Sequence, residues 1–276
     1  MSKSTSWGKV ANWYDNLLEK DAGTYQKTLI IPNLLRLLQI KRGEIILDLA
    51  CGQGFFSREF ARLQLPSQSD GGQAKAGAKV IGVDISQELI DLAKQHPNNG
   101  AMKQFNNRIS QEIEYHVSQA DNLSFLKNNS IDKIAIILSL QNIGNVDGVI
   151  KECSRVLKPN GKLFIVLNHP AFRIPKQSSW GWDETHKIQY RRIDGYLRES
   201  KETIQMHPGN NPKEKTISFH RPLQFYFKKF NKYNFCVSRL EEWNANKVSE
   251  SGPRSNAEDT ARREIPLFLF LEALKK

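Results

Sequence analysis

The stretch Leu47-Asp-Leu-Ala-Cys-Gly-Gln-Gly-Phe-Phe-Ser57 decides how this sequence folds. It begins inside the apolar run 44–50, which has the pattern of a buried strand. Two glycines, Gly52 and Gly54, then mark a tight turn before a helix that begins at Phe55. A glycine turn between a strand and a helix lets the backbone approach a ligand closely. Alone, this pattern fits any nucleotide-binding βαβ unit.

The neighbours of these glycines favour a nucleoside that carries an amino acid over a dinucleotide. A dinucleotide site takes a third glycine or alanine three residues after Gly54, where this chain has Ser57. Asp48, near the end of the strand, would repel a phosphate but would suit an ammonium group. Asp84 and Asp121 follow the next two predicted strands, at the edge where open α/β sheets bind ligands. Taken singly, each acid could equally cap a helix or lie in a solvated loop.

Apolar segments alternate with helical patterns on both sides of this stretch, which predicts a doubly wound α/β sheet. We expect strands at 44–50, 79–84, 113–117, 134–138 and 162–167, and later ones at 235–243 and 265–271. Helices are expected within 7–38 and at 55–63, 87–94, 149–157 and 222–233. Polar loops are expected at 64–78 and 244–263.

Residues 168–221 interrupt the alternation with a polar, aromatic and basic insert. The chain of 276 residues carries 40 Lys and Arg against 29 Asp and Glu. Residues 1–150 hold 16 against 15, whereas residues 151–276 hold 24 against 14. This asymmetry favours an anionic partner, although a merely soluble basic surface would give the same balance. The arginines and aromatic residues of the insert could stack nucleic-acid bases, enclose a small planar anion, or pack as an added β-ribbon.

The composition is that of a soluble globular chain. Hydrophobic residues make up 39% and charged residues 25%, which argues against disorder and against a membrane-embedded protein. The longest apolar runs, such as 134–138, are too short to span a bilayer. The N-terminus lacks the apolar segment of a secretory signal, so we expect a cytoplasmic protein. Cys51, Cys153 and Cys236 provide neither a disulfide framework nor a zinc spacing, and we expect no resident metal.

Five motifs follow one another along the chain: Asp48-Leu-Ala-Cys-Gly-Gln-Gly54, Val83-Asp-Ile-Ser86, Ala120-Asp-Asn-Leu123, Ile131–Ile143 and Arg155–Leu163. As an ordered set they resemble the class I, Rossmann-like methyltransferases that use S-adenosylmethionine, of the type 11 and 25 small-molecule group. The resemblance spans about residues 40–170, with a weaker echo at 220–226. It is specific for the cofactor and nearly silent on the substrate.

The resemblance implies a seven-stranded, mainly parallel sheet of order 3-2-1-4-5-7-6. The last strand would be antiparallel, with helices on both faces and the insert after the fifth strand. Residues 1–40 would form a helical cap on a methyltransferase domain at 41–276. Within that domain, residues 168–221 would form a substrate-side insert or lid.

The resemblance also implies a cofactor site, with S-adenosylhomocysteine as the product. Asp48 would face the methionine portion, Asp84 would hold the ribose, and Asp121 would meet the adenine amino group. Ile85 would pack on adenine. The predicted cofactor-binding set is Tyr14, Tyr25, Asp48, Ala50, Cys51, Gly52, Gly54, Asp84, Ile85, Ser86, Ala120, Asp121, Asn122 and Leu138.

Two positions depart from the family pattern. Ala50 replaces the first glycine of many members. Gln141 and Asn142 stand where many members carry a histidine pair, so a proton-abstracting histidine is missing there. A base is needed only if the acceptor must lose a proton. Further histidines lie on the insert, including His207, and the predicted catalytic residues are His169, His220 and Asn142.

The predicted function is transfer of a methyl group to a small, anionic acceptor. The predicted substrate-binding residues are Arg173, Trp182, Arg191 and Arg221. An RNA acceptor is the alternative, against which stands the absence of a recognisable RNA-binding domain or a long basic run. A non-catalytic cofactor-binding protein on the same fold is a third reading, because fold alone does not determine function.

Overall fold

The computed structural model describes residues 5–62, 78–96, 113–206 and 214–276. Almost all of the predicted loop at 64–78, and His207, lie outside these ranges. The strands are β1 (Ile45–Leu49), β2 (Lys79–Asp84), β3 (Glu114–Val117), β4 (Ile131–Ile137), β5 (Leu157–Asn168), β6 (Ser178–Asp183), β7 (Ile188–Ile193), β8 (Ser200–Gln205), β9 (Lys215–His220), β10 (Phe235–Trp243) and β11 (Phe268–Lys275).

The α-helices are α1 (Ala11–Lys20), α2 (Ile31–Leu38), α3 (Phe55–Arg62), α4 (Gln87–Gln95), α5 (Val146–Val156), α6 (Leu223–Lys232) and α7 (Ser255–Glu264). Short 3₁₀-helices cover Gly8–Val10 and Leu140–Asn142, and a π-helix covers Gln26–Ile30. Within the described ranges, no helix combines the length and the apolar character needed to cross a bilayer.

Seven strands form one sheet in the order β3-β2-β1-β4-β5-β11-β10. Strands β1 to β5 are parallel, and β11 is antiparallel to both of its neighbours, β5 and β10. Counted along the main sheet alone, this is the order 3-2-1-4-5-7-6, so the predicted fold is confirmed. The chain order reverses between β1 and β4, and a doubly wound sheet opens its ligand crevice at such a point.

Apolar side chains fill one layer on each face of the sheet. In one layer, Leu47 of β1 packs with Val149 of α5 and Phe230 of α6. In the other layer, Ile46 of β1 packs with Phe60 of α3. Adjacent residues fall in different layers because successive strand side chains point to opposite faces. Burial on both faces holds β1 and β4 at the centre, which fixes where their carboxyl ends lie.

Side-chain caps fix where two helices begin after the strands. Ser86 Oγ accepts a hydrogen bond from Leu89 N at 3.3 Å and caps α4, as its position in the sequence predicts. Asn145 Oδ1 accepts one from Gly148 N at 3.1 Å and caps α5. These caps set the length of the turns that follow β2 and β4, and both turns lie at the ligand-binding edge of the sheet.

The insert at 168–221 forms two antiparallel hairpins outside the main sheet. In the β6–β7 hairpin, Trp180 lies opposite Arg191. In the β8–β9 hairpin, Ser200 lies opposite His220. The second hairpin reaches back to the main domain, because Asn142 Nδ2 donates a hydrogen bond to the carbonyl oxygen of Ile217 at 3.0 Å.

The predicted polar loop at 244–263 is wrong in its second half, which forms α7. Ala261 is the only buried residue of this helix, so the segment lacks the apolar stripe by which a sequence reveals a helix. Arg262 instead pairs with Glu258 and Asp259, and pairs at these spacings stabilise an exposed helix. The last strand also runs further than the predicted 265–271, because β11 extends to Lys275.

Candidate active site

Two non-glycine residues adopt left-handed backbone directly after the central strands β1 and β4. Ala50 has a φ of 61° and Leu138 a φ of 53°, a conformation that costs about 1 kcal/mol or more per residue. Leu138 N donates to Val166 O at 2.8 Å, which anchors the second turn to β5. Both residues line a cavity at the strand ends. The strain therefore lies where the backbone turns sharply to open the crevice.

The two glycines of the first motif have different tasks. Gly52 has a φ of 58°, and a β-carbon added there would have only the Tyr14 ring within 4 Å, at 3.9 Å. Gly54 has a φ of 77°, and a β-carbon added there would overlap the Tyr115 ring. Gly52 thus leaves open space beside the crevice. Gly54 allows the turn to pack on Tyr115 of β3.

Asp84 occupies the end of β2 and is held by two backbone donors. Gly52 N donates to its Oδ2 and Ser86 N donates to its Oδ1, each at 2.9 Å. Burial raises the pKa of this carboxyl, and the same backbone hydrogen bonds act in the opposite direction. A carboxylate offers about four lone-pair sites, so the two backbone bonds leave acceptor capacity for a ligand's hydroxyl groups.

Two cavities meet around Asp84. The large cavity, of about 370 Å³, includes the turn after β3 and the start of α5 among its walls. The small cavity, of about 170 Å³, lies towards the N-terminal helices and includes Trp7 and Tyr14. We call the two together the cleft, because they share the lining residues Ala50, Asp84, Ile85, Asn142 and Ile143.

The chemistry of the cleft fits an amino-acid-bearing nucleoside. Ile85 is apolar yet 55% exposed, as expected of a residue that a flat base would cover. Gln53 and Ser139 are among the residues that line the small cavity, and Gln53 Nε2 and Ser139 Oγ are buried without a hydrogen-bond partner in the described part of the chain. Such orphaned polar atoms need a ligand or water to satisfy them. Asp84 adds the acceptors for hydroxyl groups.

Asp48, expected to face the methionine portion, is 1% exposed. Its Oδ2 accepts a hydrogen bond from Ser57 Oγ of α3 at 2.6 Å. Burial raises the pKa of this carboxyl to about 7. Cys51 lines the small cavity, and burial raises the pKa of its thiol. Asp48 therefore lies in the protein interior under the glycine turn, where its charge acts at a distance.

The remaining predicted cofactor residues divide into two groups. Ala120 and Asp121 line the large cavity, and Asp121 Oδ2 accepts from Asn145 Nδ2 at 2.7 Å. Ser86 is used as the cap of α4, and the Asn122 carbonyl accepts from Ser118 Oγ at 2.7 Å. The second group thus shapes the turns around the cleft.

The two tyrosines of the N-terminal helices lie at different sites. Tyr14 lines the small cavity, and burial raises its pKa to about 12. The Tyr25 ring packs edge-to-face on the Phe268 ring, with their centres 5.8 Å apart, and Lys247 Nζ lies 4.9 Å from the centre of the Tyr25 ring. The structure therefore places Tyr25 beside β11 instead of in the cleft.

Several cleft residues were missed in the prediction from sequence. Each of them lies in or near a quoted motif or begins the N-terminal segment, which is the signal that could have found them. They are Trp7, Gln53, Ser118, Ser139, Ile143, Gly144 and Asn145.

A third cavity, which we call the hairpin cavity, has a volume of about 180 Å³. It lies between the carboxyl end of β5 and the β8–β9 hairpin. Gln141 lines it; its Nε2 donates to Leu138 O at 2.8 Å while its Oε1 is buried without a partner among the described residues. The lining residues are Gln141, Asn168, Pro170, Arg173, Pro175, Ile204, Ser218, Phe219, His220, Arg221 and Tyr226.

Arg173 is an uncompensated cation in the wall of the hairpin cavity. Among the described residues its guanidinium has no carboxylate partner, and its Nε is buried without a hydrogen bond. The guanidinium carbons of Arg173 and Arg191 lie 5.4 Å and 5.1 Å, respectively, from the centre of the Trp180 ring. Burial, and then the charge of Arg191, lowers the pKa of Arg173 to about 10. The cavity is therefore suited to an anion.

The predicted substrate residues do not all reach this cavity. Arg173 and Arg221 line it. Arg191 binds the insert itself, donating from Nε to Phe172 O at 2.8 Å. Trp182 donates to Glu184 and stacks under Arg254 at 4.6 Å, so its ring is engaged within the outer part of the insert.

The two candidate histidines differ in which ring nitrogen is available. Ala171 N donates to His169 Nδ1 at 3.2 Å, and His169 Nε2 lies 2.7 Å from Glu242 Oε1. Both nitrogens are engaged, and burial lowers the pKa of this histidine. His220 Nε2 lies 2.7 Å from Tyr196 O, which can only accept, so Nε2 carries the proton. In the neutral tautomer that donates from Nε2, Nδ1 is the nitrogen without a proton.

One group of three potential metal ligands occurs among the described residues, namely Asp15, Glu19 and His96. His96 Nε2 lies 2.6 Å from Asp15 Oδ1. Glu19 pairs with Arg58, which also donates to Gln53 O at 2.7 Å. Both carboxylates already have a side-chain partner, and the contacts fasten α1 to α3 and to the end of α4.

Residues 47–165 match the sequence model of the family described as Methyltransferase domain. The chain is 28% identical over 150 residues to a ubiquinone biosynthesis O-methyltransferase of Xanthomonas oryzae, covering 52% of this chain and 54% of that protein. It is 32% identical over 152 residues to a demethylmenaquinone methyltransferase of Lactobacillus johnsonii, covering 55% and 54%. A solved S-adenosylmethionine dependent methyltransferase of Mesorhizobium loti has a TM-score of 0.64 at 22% identity, covering 92% of this chain and 99% of that one.

Residues 47–165 therefore form a methyltransferase domain, and the solved methyltransferase shares the fold over 92% of this chain. The methyltransferase domain predicted from the motifs is confirmed for these residues, and its use of S-adenosylmethionine stays a prediction. The chain spans about half the length of both curated relatives, 54% in each case.

Replacing Asp84 by Asn tests the central ligand of the cleft. In the wild type, Gly52 N and Ser86 N each donate to a different oxygen of the Asp84 carboxylate. The side chain of Asn has only one oxygen, so one of these two hydrogen bonds is lost. We expect the affinity for S-adenosylhomocysteine, measured by calorimetry, to fall about tenfold or more. Asp91→Asn, on the exposed face of α4, is the control and should change it by about twofold or less. Equal affinities for the two variants would contradict the assignment.

Replacing Asp48 by Asn tests the raised pKa of about 7. In the folded protein the Asp48 carboxyl keeps its proton up to about pH 7, whereas in the unfolded chain it loses the proton near pH 4. The contribution of Asp48 to the free energy of unfolding of the wild type therefore falls as the pH rises from about 4 to about 7. The variant lacks this loss. We measure the free energy of unfolding of both proteins by chemical denaturation. The difference, variant minus wild type, should increase by about 2–4 kcal/mol from pH 5 to pH 8. A constant difference across that range would refute the shift.

Proposed function

We propose that this protein transfers the methyl group of S-adenosylmethionine to a small, anionic acceptor bound in the hairpin cavity. The observation that carries the proposal is a shared wall. Leu138, Ser139 and Asn142 line the cleft, while Gln141, between them, lines the hairpin cavity. A nucleoside-type cleft and a cationic cavity thus adjoin at one short turn, and a two-substrate transfer needs the two bound molecules to meet at that point.

The chain's main task in this reaction is alignment. When bound, S-adenosylmethionine supplies a methyl group that its sulfonium already activates. Holding a nucleophile at near-attack distance can then contribute several kcal/mol, in the range of about 7–11 for well-oriented reactants. Asp84 would fix the ribose, and the turn after β4 would set the spacing between the two bound molecules. No metal is needed for these steps.

The walls of the hairpin cavity support an acceptor with an anionic group on a flat apolar body. Arg173 supplies an uncompensated positive charge. Phe219, Tyr226 and two prolines supply apolar surface. The names of the two curated relatives, which refer to ubiquinone biosynthesis and to demethylmenaquinone, also favour a small-molecule acceptor. We therefore propose a carboxylate-bearing aromatic or quinone-like compound.

The N-terminal segment 1–40 is proposed as a cap over the cofactor. Trp7 and Tyr14 line the small cavity. Ser6 Oγ donates to Thr216 Oγ1 at 3.3 Å, and Lys9 lies 3.8 Å from Glu214. These contacts join the cap to the β8–β9 hairpin, which supports the assignment of 168–221 as a substrate-side lid. A cytoplasmic location stays a prediction.

The class of acceptor can be tested by supplying methyl-labelled S-adenosylmethionine and the protein to a cell extract. The extract is afterwards divided into RNA, protein and small-molecule fractions. The proposal predicts label in the small-molecule fraction, retained there by anion exchange. Label found only in the RNA fraction would contradict the proposal. The proposal would also be contradicted if the protein binds the cofactor but transfers label to none of the three fractions.

Replacing His220 by Gln tests this residue as the base. The Gln amide can still donate to the Tyr196 carbonyl, but it has no basic nitrogen. With an acceptor that must lose a proton, we expect kcat to fall about 100-fold and the pH dependence to disappear, with unchanged affinity for S-adenosylhomocysteine. His169→Gln, which keeps the donation to Glu242, is the control and should retain kcat. An unchanged kcat in the His220 variant would contradict the assignment of His220 as the base and would indicate that its role is structural.

A further inference from the structure

The segment 140–145 forms much of the wall of the cleft, but its backbone lacks regular secondary structure after the short 3₁₀-helix. Asn142 and Ile143 line both parts of the cleft, and Gly144 and Asn145 line the large cavity. The carbonyl groups of such a segment need hydrogen-bond donors from elsewhere in the protein. The source of those donors decides whether the wall is held in place before the cofactor binds.

Arg221, directly after β9, supplies donors to three of these carbonyls. Its Nη2 donates to Ile143 O at 2.8 Å and to Gly144 O at 3.0 Å. Its Nη1 lies 3.5 Å from Leu140 O, at the limit of a hydrogen bond. The side chain is 5% exposed, so water cannot easily replace it as the donor.

Two aromatic rings hold the Arg221 guanidinium in position. Its central carbon lies 4.6 Å from the centre of the Phe219 ring and 5.3 Å from that of Phe225. A planar guanidinium can stack on rings while its edge donates to several oxygens, whereas a lysine ammonium is a strongly hydrated point charge. The site is thus built for an arginine.

We infer that Arg221 is a positioning residue for the cofactor: it holds the wall 140–145 of the cleft from the opposite side. This gives Arg221 a task besides the direct binding of the acceptor that the sequence analysis predicts, which stays a prediction. Its hydrogen-bonding edge is used on the loop, although its side chain also contributes to the hairpin cavity. The effect of Arg221 on methyl transfer rests on the proposed function. The hydrogen bonds by which Arg221 connects the end of β9 to the wall do not depend on that function.

Other contacts of the segment place Arg221 at the middle of an anchored loop. At one end, Leu138 N donates to Val166 O at 2.8 Å. At the other end, Asn145 caps α5 and donates to Asp121. Between them, the hydrogen bond from Asn142 Nδ2 to Ile217 O is the second link to β9. Removing Arg221 would leave that single side-chain bond to hold the middle of the wall.

The test compares Arg221→Lys and Arg221→Met with Lys201→Met. Lys201 also places its cation by the Phe219 ring, at 6.0 Å, and its side chain is exposed at the hairpin surface. Hydrogen exchange of the peptide spanning 139–146 and calorimetry with S-adenosylhomocysteine are measured for all three, together with the melting temperature. Steady-state KM for the cofactor, against kcat, completes the set.

We expect exchange at 139–146 to accelerate about tenfold and affinity for S-adenosylhomocysteine to fall about tenfold in Arg221→Lys, and more in Arg221→Met. The cofactor KM should rise more than kcat falls. Lys201→Met should behave like the wild type in both measurements. If Arg221→Met does not fold, Arg221→Lys decides.

Wild-type exchange and affinity in a folded Arg221→Lys variant would overturn the inference. An equal loss in Lys201→Met would do so as well, because the effect would then belong to the ring and not to the loop. Failure of the wild-type protein to bind S-adenosylhomocysteine would instead overturn the proposed function. The exchange comparison would still report on the tie made by Arg221.

Discussion

The hydrogen bonds that Gly52 N and Ser86 N donate to the Asp84 carboxylate are the interaction on which the cleft depends. They join the turn after β1 to the turn after β2, so the two strand ends act as one unit. Because the carboxylate is buried, each of these bonds is stronger than it would be in water. The left-handed backbone at Ala50 is held in place by the same connection, since it adjoins the turn that Asp84 fixes.

The distribution of charge gains a structural meaning once individual pairs are considered. Much of the positive charge in the second half of the chain is neutralised locally: Lys229 and Lys232 both contact Asp147, and hydrogen bonds from these lysines and Tyr233 hold the pKa of that carboxyl well below its usual range. Arg173 differs because, among the described residues, no carboxylate compensates it. The excess charge therefore supports an anionic acceptor through the half-buried Arg173 guanidinium more than through the surface as a whole.

Local patterns were sufficient to predict the alternation of strands and helices and the acids at the strand ends, because strands, glycine turns and caps depend on neighbouring residues. The order of the strands in the sheet came instead from the resemblance to the methyltransferase family. The roles of the histidines depend on distant partners: Glu242 lies 73 residues from His169, and Tyr196 lies 24 residues from His220. The position of Tyr25 also depends on a distant partner, Phe268. The helical pattern of the N-terminal segment does not predict which cavity this tyrosine faces. The burial of Asp48 could not be predicted, because its motif position does not reveal that Ser57 engages its carboxylate. The residues of the insert could be recognised as functional candidates, but their assignment to separate tasks required the tertiary structure.

A crystal structure of the protein with S-adenosylhomocysteine would test the cofactor site most directly. We predict that the nucleoside lies in the cleft, with its ribose hydroxyls donating to the Asp84 carboxylate and its adenine ring over Ile85. The wall 140–145 should keep the backbone conformation that Arg221 holds. A nucleoside bound outside the cleft, or a ribose that makes no contact with Asp84, would contradict this assignment.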